Sequence, residues 1–522
     1  MTELLEERIS ETTEITHYLS KIVSFEEFLN KISANRAYKQ ISHCHGVFDL
    51  LHIGHIKHLN EAKLFADMLV VSITPDRFVN KGAGRPCFTE KLRAEALASL
   101  SCVDYVIVND EPTAVNAIKT IKPDFYVKGI EYQTVSNDIT GKITEEEEAV
   151  RGVGGKLRFT DDIVFSSSAL INKFFSPYSK EVNLYLDNFK KKFKGYEVLQ
   201  YLENAKNLKV LLIGEAIIDI YHYGEAIGKA GKEPILVTKY HREEMYAGGA
   251  LAVANHLSSF CGKITCVTML GEKGEYESFV NEKTNHNVEM KLFYKQGAPT
   301  IVKRRYLEEY TSQKLFEIYE IEDGYLEEEQ KKLFLNEVKK LMDEHDVILV
   351  ADYGHGLLDG EFAQMVSESG KFLAVNTQSN ASNHGFNCIS KYKRADYVCI
   401  AMRELQLNYR QRHISVMDQI NHLASDFDYK NITITSGRTG SYVYSRGEEV
   451  CETPAFAREI KDRVGAGDAV LAITSLCVAQ GSPPEIVGLV GNVVGAEAVN
   501  VMGNERYIDK TSLMKHISHL LK

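Results

Sequence analysis

The chain has 522 residues, more than one hydrophobic core usually serves, so two or more domains are expected. A hydrophobic content of 44% and a charged content of 25% are those of an ordinary globular protein and exclude disordered, collagen-like and coiled-coil chains. A formal net charge of -11 argues against a broad nucleic-acid footprint, and no run of about 18 apolar residues reads as a membrane span.

The acidic start Met1-Thr-Glu-Leu-Leu-Glu-Glu7 lacks the basic and apolar regions of a secretory signal, so a cytoplasmic protein with no membrane and no nucleic-acid partner is expected. The nine cysteines are scattered without a C-x-x-C pair, which fits reduced thiols. Residues 1–20 read as an extension that is loose or oligomer-forming, and a homo-oligomer is expected. Ser24 and Glu27 before Phe28-Leu29 have capping-box spacing and predict a helix start. Gln40–Gly46 is strand-like, Ile56–Ala66 helical, Met68–Ile73 a strand-length apolar run and Leu92–Leu100 helical; Tyr105–Val108 and Phe125–Val127 are again strand-like. Such alternation predicts a parallel sheet wound with helices. Residues 176–205 are polar and lysine-rich and read as a helical linker between a domain at 21–175 and one at 206–522. The second domain opens on Lys209–Ile213, with further strand candidates at Val347–Val350, Phe372–Val375, Tyr397–Ile400 and Ile432–Thr435. Neither half repeats the other, so the two domains differ in kind.

Gly46-Val-Phe-Asp-Leu-Leu-His-Ile-Gly-His55 places His52 and His55 where a strand gives way to a helix. A helix N-terminus offers free N–H groups and a positive dipole end to a phosphate, and histidines can donate to oxygens that gain charge as a phosphoanhydride breaks. Zinc binding and an unrelated surface pair are the rival readings. The run Gly46 to Leu59 resembles the signature of the cytidylyltransferase superfamily, which includes the glycerol-3-phosphate cytidylyltransferases and the adenylyltransferase half of the bifunctional heptose enzymes. The likeness continues through Lys81, Arg85-Pro86, Arg93, Val127–Tyr132 and Ser166–Ile171. It implies a Rossmann-like α/β domain that transfers a nucleotidyl group to a sugar or polyol phosphate and expels pyrophosphate with Mg²⁺. His52, His55 and Lys81 would be catalytic. Gly46, Phe48, Asp49, Gly54, Arg93, Lys128, Gly129, Ser166, Ser167 and Ser168 would bind the nucleotide, read as CTP ahead of ATP.

Asp462-Arg-Val-Gly-Ala-Gly-Asp468 ahead of an apolar helix reads as a small-residue turn that bares N–H groups to a transferring phosphoryl group, with Asp468 placed to take a hydroxyl proton. An ordinary glycine turn with a capping aspartate is the rival. The run resembles the phosphoryl-transfer motif of the ribokinase-like sugar kinases, with Asp219, Ala247–Ala250, Ala351–Gly356, Glu404 and Thr435–Gly440 as ordered companions. The resemblance spans about 205–520 and is nearest the kinase half of the bifunctional heptose enzymes, in reversed order. It implies a ribokinase-like α/β domain in which Asp468 is the base. Gly465, Ala466, Gly467, Glu404, Thr435, Gly437 and Gly440 would form the anion hole and nucleotide site, and Asp219, Gly248, Gly249 and Asp352 would meet the substrate. Arg463-Val464, Leu251-Ala252, Ala401 and Asn376-Thr-Gln378 depart from the usual kinase residues, so either the acceptor differs or this half only binds and scaffolds.

Overall fold

The computed structural model describes residues 17–33, 39–79, 85–129, 142–160, 178–411 and 413–522; Lys81, Ser166, Ser167 and Ser168 lie outside the described residues. The chain divides into two compact units, the first carrying the described residues through Thr160 together with Met514–Leu520 and Lys522, the second carrying Tyr178–Leu513 and Leu521.

In the first unit, β1 (Ile41–Gly46), β2 (Met68–Ile73), β3 (Tyr105–Val108), β4 (Phe125–Gly129) and β5 (Lys156–Thr160) form one sheet in the order β3-β2-β1-β4-β5. All neighbours are parallel. Alternation along β2 sends Leu69, Val71 and Ile73 into a core with Leu59, Ala62, Ala94 and Leu97, contributed by helices Ile53–Leu64 and Glu90–Ala98. Val70 packs on the opposite face against Phe28, Ile32, Ala117 and Ile121, from helices Phe25–Ile32 and Val115–Ile121. Ser24 and Glu27 close a capping box at the first of these helices. Helices cover both faces, so ligand chemistry falls to the strand ends, where β1 lies between β2 and β4.

The second unit opens with helices Lys180–Lys192 and Gly195–Asn204, the segment read as a linker from its lysines. Val182, Leu186, Phe189, Val198, Leu199 and Leu202 are buried, so the lysines mark only the outer face of helices that belong to this unit. A nine-stranded sheet follows, in the order β10-β9-β6-β13-β14-β15-β16-β17-β18. Its strands are β6 (Lys209–Gly214), β9 (Lys263–Gly271), β10 (Val288–Lys295), β13 (Val347–Asp352), β14 (Phe372–Thr377), β15 (Arg394–Ala401), β16 (Asp428–Thr435), β17 (Ser441–Ser445) and β18 (Cys451–Thr453). All are parallel except the last two, which continue antiparallel from β16. A smaller sheet of β7 (Ala216–Lys229), β8 (Leu236–Gly249), β11 (Val302–Glu308) and β12 (Gln313–Glu320) has the order β12-β11-β7-β8. The helix Ala466–Ala479 is buried from Asp468 to Val478. Among the described residues no helix is long and apolar enough to cross a membrane.

Candidate active sites

In the first unit, β1 ends at Gly46 and the chain turns through Val47–Leu51 into helix Ile53–Leu64. Phe48 takes a φ of 49° and folds its ring back to 3.1 Å from where a Gly46 Cβ would lie. His52 is the helix N-cap: its Nδ1 accepts from Gly54 N at 3.1 Å. An accepting Nδ1 leaves the proton of the neutral ring on Nε2, so Nε2 is the donor of His52. Burial lowers the His52 pKa and favours that neutral form. The His55 ring stacks on it, with centroids 4.0 Å apart and planes at 22°, and Phe48 meets His55 edge-on at 5.3 Å. The two histidines therefore stand side by side at a helix start, as their spacing requires.

Other residues expected at the nucleotide are placed as supports. Asp49 is buried and accepts from Cys87 N at 2.6 Å and Phe88 N at 3.1 Å, with Arg85 Nη1 3.7 Å away. Arg93, also buried, donates to the carbonyls of Phe88 at 3.0 Å, Val47, and Thr74 at 2.9 Å, and to Asp76 at 2.7 Å. It ties the loops after β1 and β2 together. Lys128 on β4 pairs with Glu146 at 2.8 Å, where Tyr126 also donates at 3.0 Å, and Gly129 ends β4 level with Thr160. Among the described residues no group of three or more His, Cys, Asp or Glu could hold a metal ion.

In the second unit, the parallel strands bring Asp352, Thr377, Ala401 and Thr435 to one edge of the large sheet. Gly465 caps helix Ala466–Ala479 at a φ of 79°, a conformation that strains any L side chain, and a Cβ there would also push on Asn504 Oδ1 at 2.1 Å. Ala466 opens the helix, Gly467 is exposed, and Asp468 turns inward in the first turn, where Tyr353 donates to its Oδ1 at 2.8 Å. No hydrogen bond among the described residues engages Oδ2. Burial, together with the nearby Asp219, raises the Asp468 pKa to about 7 against the opposing pull of the Tyr353 hydroxyl and Lys303.

The small sheet supplies the facing wall. Asp219 on β7 pairs with Arg305 on β11, which also reaches Glu317 at 3.2 Å. A Cβ on Gly248 would lie 2.2 Å from Asp219 Oδ2, so Gly248 makes room for this carboxylate, while Gly249 caps the next helix at a φ of 58°. Asp462 ties this sheet to the glycine turn: it accepts from Lys314 Nζ at 2.6 Å, Tyr221 Oη at 2.7 Å, Arg463 N at 2.7 Å, Val464 N at 3.2 Å and Gly503 N at 3.1 Å. Asp352 faces inward, held by Tyr392 at 2.7 Å, Lys391 at 2.5 Å and Asn387 at 3.0 Å. Glu404 accepts from Ala401 N at 2.5 Å and Ser379 N at 3.2 Å, and burial pushes it up to about 7. Thr435 leads into the β16–β17 turn, closed by Ser436 N to Gly440 O at 2.8 Å with Gly437 between. Sequence reasoning missed Glu215, which sits under the Tyr353 loop, accepts from Tyr353 N at 3.0 Å and His355 N at 3.1 Å, and is raised to about 7 by burial and then Asp352.

A family model for pfkB family carbohydrate kinases matches residues 207–510. The chain belongs to that family. A cytidylyltransferase-like model matches residues 43–174, so the chain carries a nucleotidyltransferase domain and a carbohydrate kinase domain. Its relatives include the bifunctional protein HldE of Campylobacter fetus, 44% identical over 135 residues, which are 26% of this chain and 27% of that one. The bifunctional protein HldE of Geobacter sulfurreducens is 34% identical over 168 residues, 31% and 32% of the two chains. The chain thus spans about a third or less of the length of these curated relatives. The phosphofructokinase-2 of Escherichia coli in complex with substrates and products matches 60% of this chain and 100% of its own, at 15% identity and a TM-score of 0.48.

Proposed function

We propose that the first unit transfers a nucleotidyl group from CTP or ATP to a sugar or polyol phosphate, and that the second phosphorylates a sugar or polyol with ATP. Together they make a nucleotide-activated precursor for a surface polysaccharide in the cytoplasm. The observation that carries the first half is the stacked His52–His55 pair at a helix N-terminus, with the neutral His52 ring carrying its proton on Nε2. A substrate phosphate oxygen attacks the α-phosphorus, the bond to the bridging oxygen breaks, and pyrophosphate leaves. His52 and His55 stabilise charge on the α-phosphate, and Lys81, Ser166, Ser167 and Ser168 bind the triphosphate. Asp49, Arg93 and Lys128 hold the loops and strand ends around it.

In the second half, Asp468 Oδ2 takes the acceptor's hydroxyl proton, the oxygen attacks the γ-phosphorus, and ADP leaves. The N–H groups of Gly465, Ala466 and Gly467 receive the developing charge. A base near pH 7 beside such an anion hole supports turnover over mere scaffolding. Mg²⁺ would come to both sites with the triphosphate and neutralise phosphate charge there; in the kinase site Glu404, fixed by Ala401 N and Ser379 N, is the carboxylate that would hold its waters.

The full chain, given CTP or ATP with sugar and alditol phosphates, is expected to release pyrophosphate with one of the two nucleotides, and to convert ATP to ADP with an unphosphorylated sugar or alditol. His55→Ala should lower the first activity about 10²–10³-fold and spare the second. Asp468→Asn should abolish the second and spare the first. Equal damage to pyrophosphate release by both substitutions would overturn the two-site reading.

A further inference from the structure

Glu215 is the residue at which the large sheet passes into the small one, between the end of β6 at Gly214 and the start of β7 at Ala216. Its carbonyl accepts from Ala250 N at 2.9 Å, where helix Ala250–Ser258 begins. Its side chain is fully buried and grips the loop after β13 by two backbone groups, taking Tyr353 N on Oε2 at 3.0 Å and His355 N on Oε1 at 3.1 Å. The same loop carries the Tyr353 hydroxyl to Asp468 Oδ1 at 2.8 Å. One bonded path thus runs from the junction of the two sheets to the kinase base.

Packing alone does not account for a carboxylate at this place. Burial and the neighbouring Asp352 both work against its charge, which the two N–H groups and Lys391 favour. A buried charge is costly unless its partners recover the desolvation, whereas a neutral oxygen would serve two N–H groups at less cost. The other ties on the loop hold different atoms: Asn380 and Asn383 donate to the Tyr353 carbonyl at 2.7 and 2.8 Å, and Asn387 donates to Asp352 at 3.0 Å. Glu215 fixes the N–H side, and with it the direction in which the Tyr353 ring leaves the backbone.

We propose that Glu215 is a positioning residue for the kinase base: by holding the Tyr353 loop it keeps the Tyr353 hydroxyl on Asp468 Oδ1 and leaves Oδ2 to the acceptor's hydroxyl. The proposal deepens the kinase reading and rests on Asp468 as its base. The groups that act on Asp468 are Tyr353, Asp219 on β7 and Lys303 on β11. Glu215 faces Asp352 on β13, Tyr353, His355, Lys391 and, from β10, Lys295. Glu215→Gln therefore separates two effects by sign. Loss of a negative charge acting directly would lower the Asp468 pKa, whereas release of the Tyr353 donor from the ionised carboxylate would raise it.

Infrared titration of the full chain reads this without any substrate. The C=O band of protonated Asp468 is isolated as the difference between each chain and the same chain carrying Asp468→Asn, in which the bands of Glu215 and Glu404 cancel. In the wild type its midpoint should lie at about pH 7. Tyr353→Phe should move it up by about one unit, the worth of one hydrogen bond. Glu215→Gln should also move it up, and the double variant should sit where Tyr353→Phe alone does. Glu215→Asp keeps the charge but shortens the reach by one methylene; it replaces the glutamine variant if that chain melts early, with the same upward shift expected. An unmoved or lowered midpoint in either single variant, or additive shifts in the double variant, overturns the proposal. A chain that shows these shifts but converts no ATP to ADP with any sugar or alditol would count against the kinase reading alone.

Discussion

In the proposed transferase His52 has two tasks that a single alanine substitution would confuse. Its Nδ1 caps helix Ile53–Leu64 through Gly54 N, while its Nε2 is the donor that the proposed mechanism assigns to the α-phosphate. Losing an N-cap costs about 1 kcal/mol, whereas removing one preorganised donor from developing charge costs about 10²–10³-fold in rate. His52→Asn keeps a good cap and deletes the donor. Both His52→Ala and His52→Asn should therefore lose about 10²–10³-fold in nucleotidyl transfer, but only the alanine variant should melt earlier by differential scanning calorimetry. An asparagine variant with wild-type turnover would reduce His52 to a cap. This pair was legible in the sequence because its geometry is local: an N-cap and the residue three positions on lie on one side of the first helical turn. The supports were not legible, because their partners are remote. Arg93 draws on Val47 and Thr74, Lys128 on Glu146, and Tyr221 finds Asp462 241 residues along the chain. Glu215 carried no local signal, being one acidic residue after a strand, and its burial follows from the Tyr353 loop folded over it.

The same division holds for whole elements. Met68–Ile73 and Tyr105–Val108 stood out as short apolar runs because parallel strands are covered on both faces, and Ser24 marked its helix through a cap of four residues. The small sheet gave no such signal. β8 is exposed or half-buried until its last four residues, which are buried, and β7 shifts register against it at Tyr223/Gly224, so neither keeps the alternation of a half-buried strand. Helix Ala250–Ser258, which follows β8, holds the C-terminal segment through a titratable contact: His256 Nδ1 accepts from Ile508 N at 3.0 Å, with Ser259 bonding Ile508 O and Lys510 N beside it. Burial lowers the His256 pKa to about 4. The unfolded chain takes up this proton near pH 6.5 and the folded one does not, so the contribution is full above pH 6.5 and is lost as pH falls to about 4. The loss approaches about 3 kcal/mol. His256→Asn keeps an acceptor without the titration. Urea unfolding should show the variant less stable than wild type near pH 8, with the gap narrowing as pH drops from 6.5 to 4.5. Asp468, Glu215 and Glu404 shift stability in the opposite sense, but they do so in both proteins and cancel in the difference. A gap that stays constant with pH would mean that His256 does not titrate on unfolding.

At the scale of the whole molecule, the lysine-rich stretch invites a cut near residue 190, and the structure gives a reason to move it. Helix Lys180–Lys192 is amphipathic, its Val182, Leu186 and Phe189 buried within the second unit, and Tyr185 and Tyr178 pack on Phe456 of the same unit. Each buried apolar side chain of this size contributes roughly 1.5–3 kcal/mol, so severing the helix removes a sizeable part of a domain's usual margin of about 5–15 kcal/mol. The two family matches end at 174 and resume at 207, which leaves the helix unassigned by either motif set and its allegiance to be decided by packing alone. Cleavage between Pro177 and Tyr178 should give two separately soluble fragments, the first retaining pyrophosphate release and the second retaining ATP turnover. Cleavage at 190 should leave the first activity intact and lower the melting temperature and yield of the second fragment. Two fragments of equal stability from both cuts would show that the helix adds nothing to the second core. Loss of pyrophosphate release after the 177 cut would show that the transferase depends for its fold on chain beyond the cut, where Met514–Leu520 belong to its own unit.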